Sequence, residues 1–491
     1  MGPGTIRPPP RRVADVSDGT DGAWPHPSGS YRHCKPVVRG SQAAPAHDVG
    51  MTLLPHVPAT RLEAIGLLRE VLCGVVLAPG DSAYDDVRRA GPTPWPSPAA
   101  IVLATCTDDI VHAVRFARAE HLSVAVRSTG QRAGAAADSA VLIDTSRLTA
   151  VTVDPDCHTA VVAAGATWAG VVAAAERHGL TPVLGEWAQR SAVSDTLSGG
   201  LGWLARRHGF ASDSVVSFQL VTPDGLVVDV SADTHPELFW ALSGAGDGSL
   251  GVVASIELEL HPIGHVYAGR LLYPVELAHE VLTRWRVWIT GARPELTSSV
   301  VITPTTVAVH GCWSGALEAG RQLVDEWRAW RTPKADDWTE RSVGATDGVC
   351  DDRLFPTSST MTNEWANALR DELLDELVDI TRRGEGPAAG VVEVRMVGGA
   401  ARSRSGAAAN GRGRCDQFLI TLAEIDGSPL PLRRRLAPYV TGSVYLDRTD
   451  ATERLARTRT AFGDEQWGRL CAVKAALDAN DRFRHGLVIA D

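Results

Sequence analysis

Features that mark membrane and nucleic-acid-binding proteins are missing from this sequence of 491 residues. No stretch approaches the roughly 20 uninterrupted apolar residues of a membrane span. The 58 acidic residues outnumber the 48 basic ones, which gives a net charge of −10. No stripe of basic residues interleaved with aromatic ones is found in the part of the sequence that is predicted to fold. We therefore expect a soluble chain that binds neither membranes nor nucleic acids.

Metal-binding and disulfide patterns are also missing. The eight cysteines are scattered, without a CxxC pair or a histidine at metal-ligand spacing. No secretory signal is recognised, because the early charged segment is not followed by an apolar run. We expect reduced thiols, a cytoplasmic location and no metal site; the sequence leaves the oligomeric state open.

Three common catalytic or cofactor motifs are absent or reversed. The chain has neither the GxxxxGK[ST] loop of NTPases nor the GxSxG elbow of hydrolases. The stretch "SGAGDGSLG", residues 243–251, has the glycines of a dinucleotide fingerprint. However, it follows the predicted helix "PELFWAL" and precedes the predicted strand "GVVASIELEL", the reverse of a Rossmann site. It is either a helix-ending loop or a cofactor loop of another kind.

The order of elements becomes readable from residue 100 onwards. Residues 1–58 are rich in proline, glycine, serine and arginine, which predicts a disordered tail. The patterns then predict the strand "AAIVLAT", the helix "TDDIVHAVRFARAEH" and the strand "LSVAVRS". "VVSFQLVT" and "LVVDVSA" around "PDG" predict a hairpin. After about residue 266 the sequence changes to strand-like stretches and amphipathic helices, which indicates a second domain.

Two turns carry glycines and hydroxyl groups. They are "RSTGQ", which follows a predicted strand, and "SDTLSGGLGW". Turns of this composition can direct backbone N–H groups at phosphate, although each alone is more typical of a plain turn.

Six blocks in unbroken order carry a family resemblance: "RSTGQ", "AVLIDTSRL", "GATWAGVVAAAERHGL", "TLSGGLGWLARRHG", "VTPDGLVVDVSADTHPELFWALSG" and "LGVVASIELELHPI". Over about residues 85–265 the chain resembles the PCMH-type FAD-binding domain of berberine bridge enzyme-like oxidases, in the vanillyl-alcohol oxidase superfamily. The resemblance implies an α+β, two-lobed FAD-binding fold with an antiparallel-sheet substrate domain. It implies an FAD-binding domain over 59–265, a substrate domain over 266–435 and a C-terminal strip, 436–491, that returns to the FAD domain.

The resemblance also implies which residues bind the cofactor. Members of the family commonly bind the flavin covalently through a histidine in the first turn and a cysteine further along the chain. At these positions this sequence has Gln131 and Trp187, which implies non-covalent FAD. The residues expected around the cofactor are Arg127, Ser128, Thr129, Gly130, Gln131, Arg132, Trp187, Ser191, Ala192, Ser194, Asp195, Ser198, Gly199, Gly200, Gly251, Val252 and Val253.

Two enzymatic functions fit this resemblance, and a third interpretation is an inactive binding homologue. The first is a FAD-dependent oxidoreductase that acts on a hydrophobic secondary metabolite, with or without ring closure, and that uses Tyr439 as the catalytic acid/base or orienting group. The second is a redox-neutral cyclase of the cycloaddition type, which needs orientation and an enclosed apolar pocket, with FAD structural or absent.

Overall fold

The structure is a computed structural model. It describes residues 60–90, 97–129, 138–346, 349, 360–381, 389–404, 408–425 and 427–489. The predicted disordered tail lies outside the described residues.

The chain first forms a small sheet with one parallel crossover. Its strands are β1 (Val75–Leu77), β2 (Ala100–Leu103), β3 (Val124–Arg127) and β4 (Val141–Asp144), in the order β1-β2-β4-β3. The helices are α1 (Arg61–Val71), α2 (Tyr84–Arg89) and α3 (Thr107–Ala119). β2, β4 and β3 run parallel, and α3 connects β2 to β3, so the predicted strand-helix-strand unit is present.

A six-stranded antiparallel sheet follows. Its strands are β5 (Val151–Asp154), β6 (Thr159–Ala163), β7 (Thr181–Pro182), β8 (Val215–Val221), β9 (Val227–Ser231) and β10 (Val252–His261). Its helices are α4 (Trp168–Ala175), α5 (Ala192–Leu197), α6 (Ala205–His208) and α7 (Pro236–Ala245). β8 and β9 form the predicted hairpin, and β10 pairs with β6, β7 and β8.

The second lobe is built on an eight-stranded antiparallel sheet. Its strands are β11 (His265–Pro274), β12 (Leu296–Ile302), β13 (Thr306–Trp313), β14 (Ala335–Asp336), β15 (Thr339–Ser342), β16 (Met361–Ala366), β17 (Ala389–Met396) and β18 (Phe418–Ile425). The helices are α8 (Ala278–Thr290), α9 (Leu317–Trp330), α10 (Asp371–Ile380), α11 (Gly399–Ser403) and α12 (Gly411–Arg414).

The two faces of this sheet differ because side chains alternate along each strand. On β17, Val392 and Val394 join the core beneath α8, α9 and α10. Glu393 and Arg395 alternate with them and therefore point away from these helices. Both faces are covered, since all four residues are at most 1% exposed.

The C-terminal segment contacts the first lobe. It contains α13 (Leu430–Leu436), α14 (Ala451–Phe462) and α15 (Asp464–Leu477). The Lys474 ammonium donates to the Ser249 carbonyl at 3.0 Å, and the Val124 N–H donates to the Arg482 carbonyl at 2.9 Å. The chain end therefore lies beside β3 and the loop before β10. The sequence-derived domain boundaries stay predictions.

Helix lengths and hydropathies bear on membrane insertion. Within the described ranges, every helix is too short or too polar to cross a membrane.

Candidate functional site

A row of polar side chains crosses the face of the large sheet that points away from α8, α9 and α10. Ser299 of β12 pairs with His310 of β13 on one side and with Arg395 of β17 on the other. Their apolar sequence neighbours fill the opposite, helix-covered face. All three are at most 1% exposed. Burying charge is unfavourable unless it is paired, so this row needs partners from elsewhere in the fold.

The first lobe and the C-terminal segment supply those partners. Glu186, which precedes α5, accepts a hydrogen bond from Arg395 Nη1 at 2.9 Å. Its other carboxylate oxygen pairs with Arg448, which also pairs with Glu393. Burial alone would raise the pKa of Glu393, but Arg448 and Arg395 outweigh it and hold the pKa below its ordinary value. These two arginines and two glutamates therefore join three parts of the chain in one buried network.

A second ion cluster lies on the first-lobe side. Arg190 Nη1 contacts the Asp195 carboxylate at 2.9 Å and the Asp447 carboxylate at 2.8 Å. Trp168 Nε1 donates to Asp195 at 2.8 Å. Burial, which Arg190 offsets only partly and Asp447 reinforces, raises the pKa of Asp195 to about 6. One arginine thus serves two buried carboxylates, which leaves Asp195 able to exchange a proton near neutral pH.

Tyr445 lies near the second cluster, where the charges of Asp447, Asp195 and Arg190 act on it. Its hydroxyl accepts from the Leu201 N–H at 3.3 Å, and its ring meets Phe210 edge-on at 5.8 Å. Burial, and then the charges of Asp447 and Asp195, raise its pKa well above the ordinary value. The hydroxyl therefore keeps its proton at neutral pH.

The structure brings together the predicted first and second cofactor turns. The Thr129 carbonyl accepts from the Ser191 N–H at 2.9 Å. The hydroxyls of Ser128 and Ser191 both donate to the Ala164 carbonyl, at 2.8 and 2.7 Å. Gly130, Gln131 and Arg132 lie outside the described residues.

The side chains of Arg127 and Asp195 both bind protein partners. Arg127 donates to the Asp144 carboxylate, with Nε 2.8 Å away. Asp195 is held by Arg190 and Trp168. Both side chains therefore bind other parts of the protein in this structure.

The other predicted residues of the second turn surround α5. Ser191 is the N-cap and accepts from the Ser194 N–H at 3.1 Å, Ala192 is buried, and Ser198 is the C-cap. Trp187 is half-buried against the core of the first lobe. Their contact with the cofactor stays a prediction.

Glycines with positive φ line the same region. Gly199 and Gly200 have φ of +115° and +72°. A Cβ on Gly199 or on Gly244 would overlap the Asn410 side chain. These positions therefore need glycine both for backbone conformation and for close approach.

The last predicted cofactor positions belong to β10 and its start. Gly251 has φ of +137°, and a Cβ there would press against the Val221 carbonyl. Val252 and Val253 pair with Val221 and Leu220 of β8. Their side chains are buried, so only backbone at this end of the sheet remains for a ligand.

Buried donors at this site fit an acceptor-rich group. Among the described residues, no acceptor is found for Asn410 Nδ2, Trp203 Nε1, or Arg395 Nε and Nη2. The Arg395 guanidinium lies 4.5 Å from the Trp203 ring centre. A flavin offers carbonyl oxygens and ring nitrogens that the Asn410 and Trp203 donors can bind, so these residues fit FAD.

Comparisons with known proteins agree with this fit. A family model described as "FAD binding domain" matches residues 98–231. A FAD-linked oxidoreductase of Dictyostelium discoideum is 29% identical over 239 residues, 48% of this chain and 53% of that protein. The chain spans about half the length of the curated relatives it matches.

Solved structures resemble the chain over most of its length. 6-Hydroxy-D-nicotine oxidase from Arthrobacter nicotinovorans gives a TM-score of 0.72 at 23% identity, covering 85% of this chain and 98% of that one. Physcomitrella patens BBE-like 1 gives 0.74 at 18% identity, covering 87% and 99%. The chain has the two-lobed, α+β vanillyl-alcohol oxidase-type FAD-binding fold. This confirms the predicted fold class, and the matched domain indicates FAD as the cofactor.

Tyr439, the predicted catalytic residue, lies on the side of the large sheet that faces α8, α9 and α10. It packs, partly buried, against the helix-side core of the large sheet, which includes Leu432 and Leu436. Tyr445, six positions later, is the tyrosine that contacts the first lobe through Leu201 and Phe210. The geometry therefore favours Tyr445 for an orienting role.

Sequence reasoning missed the residues of the buried network. Glu186, Arg395 and Arg448 are far apart in sequence, with Glu186 and Arg448 separated by 262 positions. One signal was available: in "VVEVRM" two charged residues share one face of an otherwise apolar strand. Charges at that spacing in a buried strand indicate a functional face.

Proposed function

We propose that the protein is a FAD-dependent oxidoreductase that binds FAD without a covalent link and oxidises a small, hydrophobic secondary metabolite between its lobes. One observation carries the proposal: buried donors that find no acceptor among the described residues lie beside the matched FAD-binding domain. Scattered cysteines are typical of reducing compartments, so a cytoplasmic location is part of the proposal.

Non-covalent binding is supported by the residue types at the anchor positions. A glutamine amide and an indole do not form the flavin bonds of the histidine and cysteine that the resemblance places at Gln131 and Trp187. Trp187 instead offers an aromatic surface for stacking. Other backbone N–H groups of the two turns, which meet at Thr129 and Ser191, would hold the phosphates.

When bound, FAD supplies the acceptor for a hydride. The residues of this chain then orient the substrate. Tyr445 keeps a neutral hydroxyl for hydrogen bonding. The Arg395 N–H groups that lack an acceptor among the described residues direct an acceptor atom of the substrate towards the site.

The proposed substrate has a hydrophobic body and a hydrogen-bonding group. Val301, Cys312 and Val391 lie on the same face of the sheet as Arg395 and join the core shared with the first lobe. They support the hydrophobic part, and Arg395 supports the polar part.

The test is anaerobic mixing of the flavin-loaded protein with a panel of phenolic and N-heterocyclic alcohols and amines. We expect at least one compound to bleach the flavin and to appear as a product lighter by two hydrogens. An Arg395→Met variant should bleach more slowly than an Arg459→Met control, whose side chain is exposed. A product of unchanged mass without bleaching would overturn the oxidoreductase in favour of the redox-neutral cyclase.

A further inference from the structure

Two cysteines that are distant in sequence lie together outside the flavin site. Cys73 is in the connection between α1 and β1, and Cys106 is the N-cap of α3. Their sulfur atoms and a carboxylate oxygen of Asp109 all lie within 4.8 Å of one another. The antiparallel pairing of Val75 with Leu103 brings the two segments side by side.

A single carboxylate holds both cysteine backbones. Asp109 accepts from the Cys73 N–H at 2.8 Å and from the Cys106 N–H at 3.3 Å. Gly74 permits this approach, because a Cβ there would overlap the Leu103 carbonyl. The spacing of the two cysteine backbones is therefore fixed by their hydrogen bonds to the Asp109 carboxylate. These bonds do not involve the sulfur atoms.

The cluster is better suited to a disulfide than to a metal ion. Both Asp109 oxygens already accept protein hydrogen bonds, and Oδ2 also binds the Thr105 N–H and hydroxyl at 2.8 and 2.9 Å. A metal would compete with these bonds, whereas a disulfide needs only the two sulfur atoms, brought to about 2.05 Å by side-chain rotation.

The two thiols differ in exposure. Cys73 is exposed and Cys106 is half-buried, which gives an incoming oxidant access to Cys73 first. Burial also raises the pKa of the Cys106 thiol. The pair thus has an accessible sulfur and a second sulfur behind it to complete the bond.

We propose that Cys73 and Cys106 form a reversible disulfide when the protein meets a hydroperoxide. The Cys73 thiolate attacks the peroxide, breaks its O–O bond and becomes a sulfenic acid. The Cys106 sulfur then displaces that oxygen, which leaves as water with the thiol proton. Two thiols lose two electrons and two protons, and hydrogen peroxide is reduced to two water molecules.

This disulfide would tie the α1–β1 connection to the start of α3. It crosslinks segments that are far apart in the chain, so it should stabilise the first lobe. A flavoprotein that is reoxidised by dioxygen releases hydrogen peroxide, so the proposed function would supply the oxidant. The site itself does not depend on that function, since peroxide can be added directly.

The experiment treats the reduced, full-length protein with hydrogen peroxide, alkylates the remaining thiols and maps the digested peptides by mass spectrometry. We expect a linked pair of peptides containing Cys73 and Cys106, lighter by two hydrogens than the reduced pair and separated by dithiothreitol. The melting temperature should rise by roughly 2–5 °C on oxidation.

The Cys73→Ser and Cys106→Ser variants should each lose the linked pair, whereas the matched control Cys471→Ser, which removes another half-buried thiol, should keep it. Oxidation of Cys73 to sulfinic or sulfonic acid without a linked peptide would overturn the proposal. So would tight binding of one equivalent of zinc that both serine variants lose.

Discussion

The two faces of the eight-stranded sheet are both buried, yet their chemistry is opposite. Beneath α8, α9 and α10 the sheet meets tryptophan and aliphatic side chains, including Trp285 and Leu377. The other face carries Arg395, Glu393 and His310 with almost no exposure. Apolar packing stabilises a fold directly, whereas buried ion pairs are weak contributors to stability. The charged face is therefore the one that points to function.

Removing one charge from the buried network should have the largest effect on stability and tests the difference between the two faces most strongly. Arg448→Met leaves Glu186 and Glu393 with one arginine fewer, so we expect the free energy of unfolding to fall by about 3–5 kcal/mol. Chemical denaturation measures this loss. Arg459→Met, which removes an arginine from an exposed pair, should change stability by about 0–1 kcal/mol. Equal effects of the two variants would contradict the importance of the buried network.

A variant on the apolar face sharpens the comparison. Leu377 is fully buried in α10, so Leu377→Ala should lower the free energy of unfolding by about 2–5 kcal/mol through lost burial and a cavity. FAD affinity should stay the same under conditions where the variant is folded. A weakened FAD affinity of the folded Leu377→Ala variant would show that the two faces are not functionally distinct.

Replacing a glycine in the turn at Gly199 should have a smaller effect on stability. Gly199→Ala meets both an unfavourable φ of +115° and the Asn410 side chain, so we expect a loss of about 2 kcal/mol and weaker FAD binding. Gly80 is the matched control, because its φ is +102° and a Cβ added there would have no atom of the described residues within 4 Å. Gly80→Ala should lose only about 1 kcal/mol and leave FAD binding unchanged.

The pH dependence of Asp195 gives the smallest expected effect. Its folded-state pKa of about 6 is raised above the ordinary 3.8, so the folded protein holds this proton more tightly than the unfolded chain does. The resulting stability is present at low pH and is lost as the pH rises through about 6. Between about pH 5 and pH 7.5 the loss should be about 1.4 kcal/mol.

Asp195→Asn should remove this component from the measured pH dependence of unfolding. Asp229→Asn, which changes an exposed carboxylate on β9, should leave it intact. An unaltered profile for Asp195→Asn would show that the Arg190 cluster does not hold the proton.

The first lobe was largely predictable because its signals are local. The period of "TDDIVHAVRFARAEH" predicted α3, and "PDG" predicted the turn between β8 and β9. The ordered blocks predicted the fold class, which the solved structures confirm.

The site was less predictable because its contacts join distant segments. Arg395 and Glu186 meet across 209 positions, and no local pattern encodes that distance. Tyr439 and Tyr445 are close in sequence, but the chain between them passes from the helix-side core to the first lobe. The assignment of cofactor residues stays a prediction.

The visible spectrum of the full-length protein, before and after acid precipitation, tests the central claim most directly. The protein, purified with or titrated with FAD, should show the two flavin absorption bands, and the precipitate should be colourless above a yellow supernatant. That result would establish flavin held without a covalent bond. Flavin retained in the precipitate would contradict the non-covalent claim, and a colourless protein that leaves added FAD unbound would contradict the flavin site itself.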